Sequence, residues 1–370
     1  MRIAFISNHP APYRDEFLAR LSAAGTFEVD IYNLFSYDSG HAFWALESPR
    51  YRMKTIAKYG EFSLIIFLKL VHIVFGKYGL VVLPGLQHWY LQVLAMLAAL
   101  TFRRYALCAD SVAQGSMSRI KYWIKRFVFN RAEFIFVPGN ASVNFFMSEF
   151  GVPRDRLQKG LYALDGNALE NEIFRHRQDR DALCAHWGIQ ASDTVFLMVA
   201  NMIKTRHYPI IVNAFARFAE KGKGCRLVIV GKGEEMDAMV KFSNEHPSVI
   251  VVPGCSFSEL SSLYAIANVY VHGGREPAST ALVIGAIAHL PLISSEAVGC
   301  SFDVVEDRTT GLLVPNYLDE EDWVSRFNEM LNNRDRWTSW GNAARCRSRC
   351  LDADVIAEEF SDRIIKMGAV

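Results

Sequence analysis

Residues Val269–Cys300, VYVHGGREPASTALVIGAIAHLPLISSEAVGC, and then Val304–Pro315, VVEDRTTGLLVP, decide how the rest of the chain is read. Val269 to Val271 is a short apolar run bounded by glycine, which suits a strand buried in a parallel sheet. Gly273 and Gly274 supply a sharp exit from it. Ser279 or Thr280 can cap a helix whose apolar residues continue to Ala288. Pro291 then opens a second buried strand, Leu292 to Ser294. The result is a β-loop-α-β unit with a carboxylate, Glu276, held between strand and helix. Such a loop lies at the carboxyl end of the sheet, where open α/β folds bind ligands. The free N–H groups around Ser279 to Ala281 can receive a phosphate there.

Outward from this stretch, the chain is long enough for two domains: it has 370 residues, of which 51% are hydrophobic. A net charge of +1 argues neither for nucleic acid nor for an acidic partner. The seven cysteines are scattered, with only Cys346 and Cys350 close, and no Cys or His pair stands at zinc spacing. That usage fits structural thiols in a reducing, cytoplasmic compartment. The N-terminal residues turn polar too soon for a signal peptide and read as a first strand. No uninterrupted apolar stretch reaches transmembrane length.

Both halves alternate β-rich runs with helical patterns. In the first these are Ile3 to Ile6, Tyr13 to Leu21, Val29 to Tyr32, Leu80 to Leu83, Tyr90 to Leu100, Tyr105 to Ala109, Phe134 to Val137 and Ala141 to Phe150. In the second they begin at Val195 to Val199 and run through Tyr208 to Ala219, Leu227 to Val230, Glu234 to Phe242, Val249 to Val252 and Ser258 to Ile266 into the opening stretch. Alternation of this kind implies βαβ units and parallel sheets. The expected division is a first domain over 1–171, joined by a C-terminal helix at about 353–370, and a second over 172–352. Charged residues Arg175 to Asp181 read as the linker.

The ordered series Glu276-Pro277, Leu290 to Ile293, Val298-Gly299, Val305 to Asp307 and Gly311 to Pro315 resembles the donor-site signature of the retaining family 4 glycosyltransferases (glycosyl transferases group 1). The resemblance implies a GT-B fold: two Rossmann-like domains facing across a cleft, with the last helix crossing back to the first domain. It also implies transfer of a hexosyl group from a nucleotide sugar, with retention, to a glycan or lipid-linked acceptor in cell-surface polysaccharide or glycolipid assembly. The first glutamate of the signature, here Glu276, contacts donor-sugar hydroxyls, for which two carboxylate oxygens are suited. The family's second glutamate, eight residues on, is Ile284 here.

Other site residues follow by position. The loop Ala200 to His207 replaces the family's Gly-Arg-Leu-x-x-x-Lys-Gly, placing Asn201 at the Arg and Arg206 at the Lys, with Lys204 nearby. Cations there would neutralise the diphosphate as charge accumulates on the leaving group. Gly231 and Gly233 resemble the family's Val-Gly-x-Gly, where glycine permits close approach to a nucleotide; a tight βα turn is the plainer use. Cys255 and Ser256 follow the next strand, where relatives read the base, although Ser256 equally suits a helix N-cap. Pro277, Ser279 and Thr280 complete the donor side. His9 and Arg14, in Asn8-His9-Pro10-Ala11-Pro12-Tyr13-Arg14, resemble the opening of many family-4 enzymes and point to the acceptor side. Asp110-Ser111 follows a strand, where relatives carry a His or Asp near the reacting sugar; an N-cap or turn is the ordinary use. Asp165, at the family's Gly-Val/Ile-Asp position, reads as a turn residue. No Asp-x-Asp stands in a suitable loop and the basic loop can replace Mg²⁺, so no metal is expected, and the nucleotide sugar is a co-substrate.

Two segments of the first half differ from plain core. Leu64 to Tyr78 is apolar with Lys69, His72 and Lys77 interspersed, and Arg119 to Arg131 is a basic helix carrying Trp123, Phe127 and Phe129. Both suit peripheral contact with the inner face of the cytoplasmic membrane; amphipathic helices packed on a sheet are the plainer reading. Two other functions compete with transfer. Asn201 and Ile284 favour a catalytically silent GT-B scaffold or binding subunit. A GT-B sugar-nucleotide epimerase would need several in-cleft carboxylates and histidines, and His272 with Glu276 alone does not make that case.

Overall fold

The computed structural model describes residues 1–35, 50–58, 61–110, 117–220 and 224–368. Ser111 therefore lies outside the described residues. The chain divides into two compact units, Met1–Asp165 with Cys350–Val370, and Gly166–Arg349.

The first unit runs β1 (Arg2–Ser7), α1 (Pro12–Ala23), β2 (Glu28–Phe35), β3 (Met53–Ala57), α2 (Ser63–Val74), β4 (Leu80–Leu83), α3 (Trp89–Leu100), β5 (Tyr105–Cys108), α4 (Arg119–Arg131), β6 (Ile135–Val137), α5 (Asn140–Phe150) and β7 (Leu157–Lys159). The second contains α6 (Gly166–Arg177), α7 (Arg180–His186), β8 (Thr194–Val199), α8 (Tyr208–Ala219), β9 (Cys225–Val230), α9 (Met236–Glu245), β10 (Val249–Val252), α10 (Phe257–Ile266), β11 (Val269–His272), α11 (Thr280–Ile287), β12 (Leu292–Ser295), α12 (Ser301–Val304), β13 (Gly311–Val314), α13 (Glu320–Asn332) and α14 (Trp337–Ser348). Helix α15 (Ala353–Gly368) returns to the first unit.

All strand pairs are parallel, in a seven-stranded sheet ordered β3-β2-β1-β4-β5-β6-β7 and a six-stranded sheet ordered β10-β9-β8-β11-β12-β13. Strands β4, β5, β8 and β11 are buried along their whole length, because helices cover both faces. The strand order reverses between β1 and β4 and again between β8 and β11. Loops leaving those strands diverge and open a crevice at the carboxyl edge. The loop after β11 is the one that carries Glu276.

On one face of the first sheet, α1 and α15 share a core in which the Phe360 ring meets Phe5, Phe17, Phe134 and Phe136 at 5.5–6.3 Å. On the other, α2, α3, α4 and α5 bury their inner sides. Their outer sides are unusual. Leu64, Ile65 and Leu68 on α2, Trp89, Val93, Leu97 and Leu100 on α3, and Ile120, Trp123, Ile124 and Phe127 on α4 are exposed, Trp123 by 63%. Helices α2 and α3 touch, as do α3 and α4, so these stripes lie side by side. Among the described residues, no helix is long and apolar enough to cross a membrane.

The boundary falls at Asp165–Gly166 and not near Asn171, since Gly166–Arg177 is one helix. The charged residues Arg175 to Asp181 are likewise not an extended linker: they end α6 and begin α7. Leu169 and Ile173 give that segment a buried stripe that outweighs its charge. Asp165 stands just before α6, with a carboxylate oxygen 3.6 Å from Arg50.

Candidate functional site

Glu276 is positioned from three sides. Its peptide bridges to Val298, and its carbonyl accepts from the Gly299 N–H at 2.8 Å, so the Val-Gly turn of the signature holds its backbone. The neighbouring Arg275 N–H donates to the Thr205 carbonyl at 3.1 Å, docking this loop on the one after β8. Gly274 makes that docking feasible. It has φ +81°, and a Cβ there would lie 2.5 Å from both the Arg206 Cα and the Thr205 carbonyl oxygen.

The loop after β8 closes in a short turn, Lys204–Arg206, followed by His207 in the left-handed region at φ +52°. This directs the Arg206 guanidinium back to Glu276, with Nη2 donating to Oε2 at 2.5 Å. The other carboxylate oxygen meets His272 Nε2, at the end of β11. The pair is largely enclosed, with Arg206 and Glu276 side chains 11% and 12% exposed. Burial acts to raise the Glu276 pKa, but His272 and Arg206 outweigh it and hold the carboxyl below its ordinary value. Nε and Nη1 of Arg206 are buried without a hydrogen-bond partner. A buried guanidinium with two unmet donors suits an anion better than it suits a static ion pair.

The glycine loop is fastened to the same place. A Cβ on Gly231 would lie 2.0 Å from the Ala200 carbonyl oxygen, and one on Gly233 2.3 Å from that of Met202. The Met202 N–H donates to Lys232 at 2.8 Å and the Glu235 N–H to Met202 at 2.9 Å. Both glycines thus serve loop-to-loop contact. Asn201 and Lys204 are exposed on this paired loop, and the Lys204 N–H donates to Glu234 at 3.3 Å.

Ser279 caps α11, accepting from the Leu282 N–H at 3.2 Å, while its own N–H donates to the buried Cys300 sulfur at 3.1 Å. Thr280 is the first residue of that helix, and Pro277 is half-buried beside Glu276. Cys255 is buried, and Ser256 forms a capping box with Glu259 at the start of α10. The family's second glutamate position, Ile284, is buried inside α11.

His9, Arg14 and Asp110 belong to the first unit and are not part of this cluster. Arg14 is buried, its Nη2 donating to the His9 carbonyl at 3.3 Å, so it shapes the loop after β1. Asp110 follows β5 and accepts from the Tyr162 hydroxyl at 3.0 Å. The structure therefore brings together Glu276, Arg206, Lys204, Asn201, Gly231 and Gly233. It adds His272 at the end of β11, whose meeting with Glu276 the spacing in sequence does not reveal, because a strand end and a loop separate the two.

The fold is that of an open α/β protein whose two units each hold a parallel sheet, and the comparisons bear on it as follows. Residues 179–347, nearly the whole second unit, match the family of glycosyl transferases group 1. No curated protein matches the chain in sequence. Among solved structures, the chain is similar to HepE from Anabaena in complex with UDP and glucose, at 16% identity and TM-score 0.74 over 99% of this chain and 100% of that one. It is also similar to sucrose-phosphate synthase from Thermosynechococcus elongatus, at 16% identity and TM-score 0.73 over 100% and 99%. A glycosyltransferase from Rickettsia africae aligns at 12% identity and TM-score 0.76 over 98% and 97%. At such identities the likeness is one of fold: this chain has the GT-B fold.

Proposed function

We propose that this protein is a retaining glycosyltransferase that moves a hexosyl group from a nucleotide sugar to a glycan or lipid-linked acceptor in cell-surface polysaccharide or glycolipid assembly. The observation that carries the reading is the Arg206–Glu276 pair at the point where the second sheet reverses its strand order, inside the segment matching glycosyl transferases group 1. Glu276 accepts hydrogen bonds from donor-sugar hydroxyls. Arg206 and Lys204 neutralise the diphosphate as it leaves, which lowers the barrier by stabilising charge that grows in the transition state. These cations take the part a divalent metal would play. The solved complexes of HepE with UDP and with UDP-glucose support UDP as the first nucleotide to try.

His9 and Asp110, which follow strands of the first unit, and Arg14, in the first turn of α1, are proposed to serve the acceptor. The exposed apolar stripes of α2, α3 and α4 support peripheral docking on an anionic membrane. Arg119, Lys121 and Arg131 stand exposed among the aromatic residues of α4, and Arg131 lies 4.3 Å from the centroid of the exposed Phe102 ring. That pairing of cations with apolar side chains is what an interfacial helix requires.

The test is a thermal-shift panel of nucleoside diphosphates and their sugars on wild type and Glu276→Ala, since a ligand that binds only the native state raises Tm by mass action. The expected result is one nucleotide that stabilises both proteins and a sugar form whose extra shift is lost in Glu276→Ala. If no nucleotide stabilises wild type at millimolar concentration, the exposed Asn201 and buried Ile284 mark a silent scaffold instead.

A further inference from the structure

His272 has no counterpart in the donor signature, yet it is the most enclosed member of the cluster, 1% exposed at the end of β11. We infer that His272 is a positioning residue that holds the Glu276 carboxylate ready for the donor sugar while Arg206 is free to turn toward the diphosphate. The inference rests on the donor-site reading of Glu276 and Arg206.

The imidazole is anchored at both nitrogens. Nε2 meets Glu276 Oε1, and Nδ1 lies 3.1 Å from the Tyr270 hydroxyl. That hydroxyl donates to the Val199 carbonyl at 3.2 Å, tying the chain of contacts to the end of β8. The Tyr270 ring stacks on Tyr264 at 5.5 Å, and the Tyr264 hydroxyl donates to the Ala281 carbonyl at 2.8 Å in the first turn of α11. Tyr270 and His272 alternate on one face of β11, as the period of a strand requires, with their rings stacked at 6.1 Å. Gly285 clears the room: a Cβ there would lie 2.7 Å from the Tyr270 ring. An ordered, backbone-anchored chain therefore ends on Glu276.

The two clamps on the carboxylate differ in kind. Arg206 arrives from a surface loop and has two buried donors without partners, so an anion offers it more bonds than Glu276 does. His272 arrives from a buried strand, and its two ring nitrogens are already engaged, one with Glu276 and the other with Tyr270. A ligand that draws Arg206 away would leave His272 holding Glu276 in place. Holding a reacting or recognising group in position beforehand is where such a residue contributes to rate and selectivity.

Four variants separate this role from a merely structural one: His272→Phe, which keeps bulk but no donor, His272→Gln, which keeps an amide donor near the Nε2 position, Tyr270→Phe and Glu276→Gln. Each is titrated calorimetrically with UDP and with UDP-glucose, or with the nucleotide and sugar pair returned by the panel above. In His272→Phe, UDP affinity should stay within about twofold of wild type, while the preference for UDP-glucose over UDP should fall roughly tenfold, an amount equal to about 1.4 kcal/mol. His272→Gln should recover most of that preference, and Tyr270→Phe should lose part of it. Should His272→Phe weaken both ligands alike, or keep the sugar preference with only a lower Tm, His272 is structural and the inference falls. If Glu276→Gln also keeps the preference, or wild type binds neither ligand, the donor-site reading fails first and takes this inference with it.

Discussion

Replacing Gly231 by alanine tests how the site is built. The added Cβ would sit 2.0 Å from the Ala200 carbonyl oxygen and 3.1 Å from its carbon. Non-bonded carbon contacts settle at about 3.5–4.0 Å, so the loops after β8 and β9 must part by roughly 1–1.5 Å. Backbone stands on both sides of the clash, so no rotamer relieves it. Parting breaks the bonds from Met202 N–H to Lys232 at 2.8 Å and from Ala200 N–H to Val230 at 3.1 Å, and strains that from Glu235 N–H to Met202 at 2.9 Å. Each such bond contributes about 0.5–1.5 kcal/mol net, giving a loss of about 1.5–4.5 kcal/mol for the set of three. For a unit of this size that corresponds to a fall in Tm of roughly 3–18 °C. Gly188→Ala is the control, because Gly188 has φ +69° but nothing within 4 Å of its would-be Cβ. Left-handed strain alone costs roughly 1–2 kcal/mol there. The assay is calorimetric melting of the full chain, following the transition of the second unit in wild type and both variants. Gly231→Ala should melt lower than Gly188→Ala and should also lose nucleotide affinity, since Asn201, Lys204 and Arg206 ride on the displaced loop. A Gly231→Ala protein as stable as Gly188→Ala would refute the close-contact account of the glycine loop.

Three further outcomes are expected. Arg206→Ala should weaken UDP binding at least about tenfold by calorimetry, the loss of one charge-assisted hydrogen bond of about 1.5–3 kcal/mol; unchanged affinity would remove Arg206 from the diphosphate site. Because the Glu276 carboxyl is held below its ordinary 4.5, its contribution to stability is whole above that pH and disappears as pH falls through the lowered native value. The Tm difference between wild type and Glu276→Gln should therefore be constant from neutral pH down to about 4.5 and shrink below it, and a difference that grows on acidification would reverse the sign argued here. Finally, Trp123→Glu with Leu100→Glu should abolish flotation with vesicles containing anionic phosphatidylglycerol while leaving nucleotide binding intact; equal flotation of wild type and variant would make the apolar face something other than a membrane contact.

The sequence by itself determined the two α/β units, because short apolar runs separated by amphipathic stretches admit little besides parallel sheets covered by helices. It also singled out Glu276, Arg206 and the glycine loop as candidates, since residue types and order are local features of single βα turns. Other elements were not legible. Met53–Ala57 and Leu157–Lys159 carry polar residues at the sheet's edges, and only pairing with β2 and β6 makes them strands. The charged residues Arg175 to Asp181 read as a linker, and only packing makes them the end of α6, whose Leu169 and Ile173 are buried, and the start of α7. The role of His272 depended most on the tertiary structure. A histidine in an apolar strand reads as core, and what makes it part of the site is that β8 and β11 lie side by side at the reversal of strand order. That adjacency joins Val199 and Arg206, on and just after β8, to Tyr270, His272 and Glu276, which lie far along the chain, in one series of contacts. Spacing along a sequence encodes one turn or one strand at a time, whereas the charge balance around Glu276 is a sum over neighbours that only the packed sheet brings together.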